Sequence, residues 1–209
     1  IKKFVFISSD KAVNPIGIMG ITKKIGEYLT KFHLDKSETE YSIVRFGNVI
    51  KSSGSVIPLF MDQIKNGGPL TITHPDVSRY FMTSQMAAQL VLISSTIYNS
   101  GNIFVLDMGG PFKIENLAKK LIEIYNNENG NLKNIKIKYI GLKDGEKLHE
   151  ELALGENLKK TKYKKILIAD EKPVENLNIK MMIDQIYDLY NQQKSKELKD
   201  FLVKELSVK

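Results

Sequence analysis

Hydrophobic residues change their spacing several times along the 209-residue chain, and each change marks an element. The run Phe4-Val5-Phe6-Ile7 predicts a short strand near the start. Ile18, Ile21, Ile25, Tyr28 and Phe32 then recur at helical spacing and predict a helix over about 20–34. Residues 42–46 predict a second strand ending at Gly47-Asn48. The loop Ser52-Ser53-Gly54-Ser55 leads into an apolar helix over about 57–64, stopped by Asn66-Gly67-Gly68-Pro69. A short strand at 70–73 precedes His74-Pro75-Asp76. Met86, Ala87, Leu90 and Val91 mark one face of a helix over about 84–95, with Thr83 or Ser84 as its cap. Another strand is expected at 103–108, then a helix carrying Ile114, Leu117, Leu121 and Ile122. Ile135, Ile137 and Tyr139 alternate as a strand does. The polar loop Lys143-Asp144-Gly145-Glu146-Lys147 follows. Beyond it lie a strand near 166–168 and one or two helices containing Leu177, Met181, Ile186, Leu189 and later Leu198, Phe201 and Leu202. Strands alternating with helices predict an α/β fold with a largely parallel sheet, its polar loops clustered where strands end.

Composition narrows the class. With 42% hydrophobic residues the chain can bury a proper core, in one large domain or two small ones. It has no cysteine and so no disulfide framework, which fits a reducing compartment. No apolar run is long enough to span a bilayer, and the first residues do not read as a signal peptide. The formal charge of +7 arises from 31 basic and 24 acidic residues. Aromatic residues fall at core spacing rather than between basic ones, which argues against nucleic acid as a partner. The basic excess gathers at Lys159, Lys160, Lys162, Lys164 and Lys165. That run reads as a solvated surface loop, with contact to anionic lipid headgroups as the lesser alternative.

The candidate chemistry lies early. Asp10 and Lys11 follow the first apolar run directly, and Met19 and Lys23 open the next helix four residues apart. An acid beside a base at the mouth of a strand stands where open α/β sheets hold their ligands. Asn14-Pro15 and Gly17 form a turn that lets strand and helix face one cleft. On these residues alone, a strand–loop–helix connection with solvated charges is an equal reading. Only two of the basic residues, Arg45 and Arg79, are arginine. Where lysine serves as the generic positive charge, a guanidinium suggests bidentate recognition of phosphate or carboxylate. Arg79 is favoured as functional on this ground, and Arg45 stays open between function and structure. His74 and His149 read as structural, and no His, Cys or carboxylate spacing suggests a metal.

Six stretches taken in order resemble one family: Ser8-Ser9-Asp10-Lys11-Ala12-Val13-Asn14-Pro15, Arg45-Phe46-Gly47-Asn48-Val49, Ser53-Gly54-Ser55-Val56-Ile57-Pro58-Leu59-Phe60, Thr73-His74-Pro75-Asp76, Arg79-Tyr80-Phe81-Met82-Thr83 and Gly145-Glu146-Lys147. They are similar to the C-terminal half of an extended short-chain dehydrogenase/reductase. More narrowly, they resemble the capsule- and flagellin-glycan type of nucleotide-sugar 4,6-dehydratase, which acts on UDP-N-acetylglucosamine. The similarity runs from about residue 4 to 152.

The resemblance implies an NAD cofactor lying against Ser8, Lys23 and Phe46, with Lys23 on the nicotinamide ribose. Hydride leaves sugar C4, water is eliminated across C5 and C6, and hydride returns at C6. Lys11 resembles the base that takes the C5 proton, for which it must be neutral, and Asp10 the acid that protonates the departing C6 hydroxyl. Met19 stands where most short-chain dehydrogenases carry Tyr, and a thioether moves no proton. Ser9, Asp10 or a water must then handle the C4 hydroxyl proton. The Met substitution points to the branch that retains configuration at C5. Asn48 and Arg79 resemble diphosphate contacts, Ser55 and Val56 line the uridine pocket, and Glu146 belongs to a loop that closes over the nucleotide. Relatives carry Arg-Pro-Gly-Glu-Lys there, whereas this chain has Lys143-Asp144 before Gly145, which puts phosphate binding by that loop in doubt.

The expected architecture is the C-terminal part of an NAD-binding Rossmann-like fold with its substrate-binding subdomain over 1–155, followed by a helical extension over 156–209. The chain begins with Ile, opens almost directly on a strand and shows no Gly-rich phosphate loop after it, so the N-terminal cofactor-binding half is expected to be absent. On its own the chain is then expected to turn over negligibly. A UDP-sugar substrate and a homo-oligomer are implied, in the cytoplasm or at the cytoplasmic face of the inner membrane, with any membrane association through the missing N-terminal region. The alternatives are a UDP-sugar C4-epimerase, weakened by the missing Tyr, and a non-catalytic remnant that binds nucleotide sugar.

Overall fold

The computed structural model describes the chain except residues 51, 53, 98–100, 131–133, 156–157, 172–177 and 207–209. Ser53 of the glycine-serine loop and Leu177 of the late helix therefore lie outside the described residues. In chain order the elements are β1 (Lys3–Ile7), one 3-10 turn (Asp10–Ala12), α1 (Ile18–Leu34), β2 (Glu40–Arg45), β3 (Asn48–Val49) and α2 (Val56–Lys65). Next come β4 (Leu70–Ile72), β5 (Ser78–Arg79), β6 (Phe81–Met82), α3 (Ser84–Thr96), β7 (Asn102–Leu106) and β8 (Phe112–Lys113). The chain continues through α4 (Ile114–Asn129), β9 (Ile137–Tyr139), β10 (Leu158–Lys160), β11 (Ile166–Ala169), α5 (Ile179–Asn191) and α6 (Ser195–Leu206).

These elements form two units. The first comprises Ile1–Phe46, Gln89–Asp107 and Glu151–Lys209. Its sheet has the order β1-β2-β7-β11-β10. β1, β2 and β7 run parallel, while β11 is antiparallel to both of its neighbours. β2 is buried at almost every position, as a central strand covered on both faces should be. Ile43, Ile103, Val105, Ala153 and Ala169 pack into one core cluster of this unit. α5 and α6 bring Met182, Leu202 and Leu206 onto Ile21 of α1 in another. The Asn178 side chain starts α5 by accepting from the Met181 amide at 3.0 Å.

The second unit comprises Gly47–Ala88 and Met108–Glu150. Its core joins Phe60 and Ile64 of α2, Leu70 and Ile72 of β4, and Ile114 and Ala118 of α4. Three two-stranded pairings surround that core: β3 with β6, β4 with β9 and β5 with β8. Gln63 clamps α2 to β4, donating to Thr71 Oγ1 at 2.8 Å and accepting from the Thr71 amide at 3.0 Å. Gly130 ends α4 at φ 63°, a left-handed stop that glycine makes without strain.

Four expectations need correction. The segment after residue 155, expected as a helical extension with a strand near 166–168, carries that strand as β11 and a further one as β10, and the two complete the sheet of the first unit. Lys159 and Lys160 therefore sit on an edge strand rather than in a loop, where charge discourages pairing with another chain. Met86 is exposed, leaving Ala87 and Leu90 on the buried side of α3, whose first turn Thr83 Oγ1 caps by accepting from the Met86 amide. On α1, Ile18 and Phe32 are exposed, while Gly20, Ile21, Lys24, Glu27 and Thr30 are buried. The buried stripe of that helix is thus largely polar.

Candidate active site

β1 delivers its chain end to a short, tightly bonded loop. The Ser8 amide donates to Val44 O at 2.8 Å and the Asp10 amide to Phe46 O at 3.1 Å, prolonging the β1–β2 ladder past both strands. Phe46 thus holds the loop through its backbone. Ser9 caps the following turn by accepting from the Lys11 amide at 3.3 Å. Asp10 is 0% exposed, and its Oδ1 accepts from Ser9 Oγ at 2.9 Å and from Lys11 Nζ at 3.0 Å. Its Oδ2 is buried without a partner. Leaving such an atom unpaired costs about 1–3 kcal/mol. Lys11, at 24% side-chain exposure, is the solvent-side member of the pair.

α1 is pressed against this loop. A Cβ on Gly20 would stand 2.2 Å from the Lys11 carbonyl oxygen, so only glycine permits the approach. Asn14 makes the connecting turn at φ 42°, a conformation asparagine tolerates, and its side chain donates to Glu151 Oε2 at 2.8 Å. Lys23 reaches back to β1, donating to Ile7 O at 3.1 Å with its ammonium 5.6 Å from the Phe6 ring centre. Met19, one turn earlier, is 51% exposed and is not core filler. Ser8, Ser9, Asp10, Lys11, Lys23 and Phe46 are gathered around the end of β1, with Met19 one helical turn from Lys23.

Behind this loop lies a buried ion cluster that the sequence did not reveal. Arg45 is 0% exposed; its Nε and Nη2 donate to Glu27 at 2.6 Å each, and Nη1 and Nη2 reach Glu171. Lys24 Nζ lies 3.6 Å from both carboxylates. Ser8 Oγ donates to Glu27 Oε1 at 2.6 Å, tying the cluster to the loop. Burial alone would lower the pKa of Arg45, but the hydrogen bonds and charges of Glu27 and Glu171 raise it above its ordinary value. Burial likewise opposes ionisation of Glu171, yet hydrogen bonds and charge from Arg45, with help from Lys24, bring it down to about 2. Burial and the Glu27 charge push the nearby Tyr28 hydroxyl up to about 12. Arg45 is therefore structural. The one sequence signal was the pair Lys24 and Glu27, three residues apart on the helix stripe that Gly20 and Ile21 begin.

The second unit holds the remaining expected residues. Asn48 lies on β3, its amide donating to Tyr80 O at 2.9 Å. Ser55 occupies the N-cap position of α2 without making a side-chain cap bond, and its Oγ is buried and unpartnered. Val56 packs against the core of this unit. Arg79, on β5, already has partners: Nη1 donates to Ser78 O at 2.7 Å and Leu148 O at 3.2 Å, and Nη2 to Glu146 Oε1 at 2.9 Å. Both histidines in this unit have local partners, His149 Nδ1 with Ser78 Oγ at 2.8 Å and His74 Nδ1 with the Asp76 amide at 3.1 Å. Among the described residues no group of three or more His, Cys, Asp or Glu could hold a metal, and no helix is long and apolar enough to cross a membrane.

The sheet, with β1, β2 and β7 parallel and α1 crossing from β1 to β2, has the α/β fold of the extended short-chain dehydrogenase/reductases. The chain belongs to the polysaccharide biosynthesis protein family, whose family model matches residues 1–171. It is 50% identical over 153 residues to the capsular polysaccharide biosynthesis protein CapD of Staphylococcus aureus, covering 73% of this chain and 25% of that one. It is 41% identical over 163 residues to a UDP-glucose 4-epimerase of Rickettsia rickettsii, covering 77% and 46%. Among solved structures, Pen from Bacillus thuringiensis matches with TM-score 0.73 and 37% identity over 83% of this chain and 54% of that one. The dTDP-glucose 4,6-dehydratase DesIV of Streptomyces venezuelae, solved with NAD bound, shares the fold at TM-score 0.60 and 15% identity, over 72% of this chain and 51% of that one. The chain thus spans from a quarter to about half the length of these relatives.

Proposed function

We propose that this chain is the sugar-handling part of an NAD-dependent 4,6-dehydratase that acts on UDP-N-acetylglucosamine in polysaccharide synthesis. The observation that carries this reading is the Lys11–Asp10 pair, 3.0 Å apart beyond the end of β1. Elimination across C5 and C6 needs one group to take the C5 proton and another to protonate the departing hydroxyl. Passing one proton from Lys11 Nζ to Asp10 turns the ion pair into an amine and a carboxylic acid, which are those two groups. After elimination the amine holds the C5 proton and the acid's proton has left in water; Lys11 then gives a proton, exchanged with solvent, to C5 as hydride reaches C6, and the proton released at the C4 hydroxyl restores the original ion pair. Ser9, whose hydroxyl donates to Asp10 Oδ1 at 2.9 Å, gives the C4 hydroxyl proton a path that the Met19 thioether does not.

The residues fit one end of the cofactor. Lys23 Nζ spends one donor on Ile7 O, and an ammonium has three, so ribose hydroxyls can take the others. NAD, when bound, supplies the hydride exchange from C4 to C6. In the second unit, Arg79 and Asn48 serve the diphosphate and Ser55 and Val56 the uridine. The unpartnered Ser55 Oγ supports that assignment, since a ligand would satisfy it.

A C4-epimerase is the second reading, favoured by the name of the Rickettsia relative. Epimerisation reverses hydride transfer at C4 and needs no proton handling at C5 or C6. Incubating the full gene product with UDP-N-acetylglucosamine and NAD in heavy water separates the two. A 4-keto-6-deoxy sugar carrying deuterium at C5 is expected. Interconversion at C4 without label at C5 would establish the epimerase instead.

A further inference from the structure

The guanidinium of Arg79 is held in one orientation, and a carboxylate already sits on its Nη2. Nη1 is anchored on the Ser78 and Leu148 carbonyls, which fixes the plane of the fork. Nη2 then meets Glu146 Oε1 at 2.9 Å, and Nε lies 3.9 Å from Glu150 Oε1. Glu146 is itself fastened at three points: Oε1 also accepts from Thr73 Oγ1 at 2.9 Å, and Oε2 accepts from the Lys143 amide at 3.1 Å. Residues 141–145 are exposed, and Gly141 and Gly145 flank the segment at φ 85° and 74°, backbone states suited to a hinge. The loop thus closes on the core of its unit through one acidic side chain placed on one arginine.

We propose that Glu146 is a built-in surrogate for the nucleotide's diphosphate, and that exchanging it for that diphosphate selects ligands with two linked phosphates. This deepens the reading of Arg79 as the diphosphate contact and rests on it. Two carboxylates beside a single guanidinium leave no net positive charge for an incoming anion. A diphosphate meets a net positive guanidinium there once one carboxylate withdraws. Glu146 is the one that can do so, because it directly follows Gly145 of the exposed segment and its side chain is 22% exposed against 4% for Glu150. A carboxylate–guanidinium pair is a charge-assisted contact, and a diphosphate, which can set oxygens of two linked phosphates on the fork, displaces it better than a monophosphate does. Thr73 favours the closed arrangement by adding a second donor to the same Glu146 oxygen.

Calorimetric titration of the chain with UDP, UMP and uridine tests this, in the wild type and in Glu146→Gln and Arg79→Lys. Glu146→Gln keeps the side-chain shape and an acceptor for Thr73 but removes the competing charge. It is expected to tighten UDP binding about five- to tenfold, as weakening a charge-assisted bond to a neutral one implies. UMP should gain less and uridine should not change. UDP binding that depends on Arg79 but is unchanged or weakened by Glu146→Gln overturns the surrogate. UDP binding indifferent to Arg79→Lys, or absent from both wild type and Glu146→Gln, overturns the underlying assignment of Arg79. Hydrogen exchange supplies an independent readout: inorganic pyrophosphate should speed exchange of the Lys143 amide, whose acceptor is Glu146. Slower exchange there counts against the idea.

Discussion

Replacing Arg45 with Met tests whether the buried ion cluster is what fixes α1 over the end of β1. The substitution keeps side-chain volume but leaves Glu27 and Glu171 facing each other, with Lys24 at 3.6 Å as their remaining cation. Stranding one charge of a buried pair costs about 3–5 kcal/mol. The Ser8 hydroxyl, bonded to Glu27 at 2.6 Å, would be disturbed with it. Against a total stability of about 5–15 kcal/mol for a domain, this is a large fraction. With a urea dependence of about 2 kcal/mol per molar, the midpoint should fall by about 2 M. Tyrosine fluorescence can follow the transition, since the chain has no Trp. Adding Glu171→Gln alone to Arg45→Met should recover part of the loss, because the remaining Glu27 carboxylate then keeps Lys24 as its counter-charge. A loss below about 1 kcal/mol would refute the argument, as would a double variant weaker than the single one.

Three further outcomes are expected. Glu171 has its pKa depressed from 4.5 to about 2 and is 5% exposed; its contribution is whole above pH 4.5 and is lost as pH falls toward 2. Allowing for some solvent screening, about 2–3 kcal/mol of wild-type stability should vanish over that range, and the loss should flatten in Glu171→Gln when unfolding is followed by pH titration. Gly20→Ala drives a methyl to within 2.2 Å of the Lys11 carbonyl, so α1 must shift; the melting temperature should drop and exchange of the Lys11 and Ala12 amides should rise, and an unaltered melt would contradict the packing described. In the full gene product, Lys11→Ala should abolish elimination, read as loss of C5 deuteration in heavy water, and an unaffected rate would remove Lys11 from its role.

What the sequence revealed and what it hid follow from distance along the chain. Asp10 and Lys11 are consecutive, and a strand followed by a polar turn was enough to predict that they end up together. The partners of Arg45 lie 18 and 126 residues away, and no local pattern announces them. Helical spacing found α1, yet its apolar residues suggested the wrong centre for the buried face. Charged residues on a helix ordinarily face water, and here Lys24 and Glu27 are buried because Arg45 and Glu171 neutralise them. Scarcity of arginine separated Arg45 and Arg79 from the lysines but could not show that both guanidiniums are already engaged by carboxylates. The run of lysines looked like a loop because β10 is short and lies at the sheet edge, where apolar alternation is weakest.

The first unit is woven from three separated stretches of chain, and this orders the events of its birth on the ribosome. β7 sits between β2 and β11, so its second edge stays unpaired until residues 166–169 have followed. Until then Arg45 has Glu27 from the first stretch but not Glu171 from the third, and the floor beneath the loop after β1 stays unfinished. Such late, long-range closure slows folding and leaves a sticky sheet edge meanwhile, and it gives the third stretch the task of locking the first.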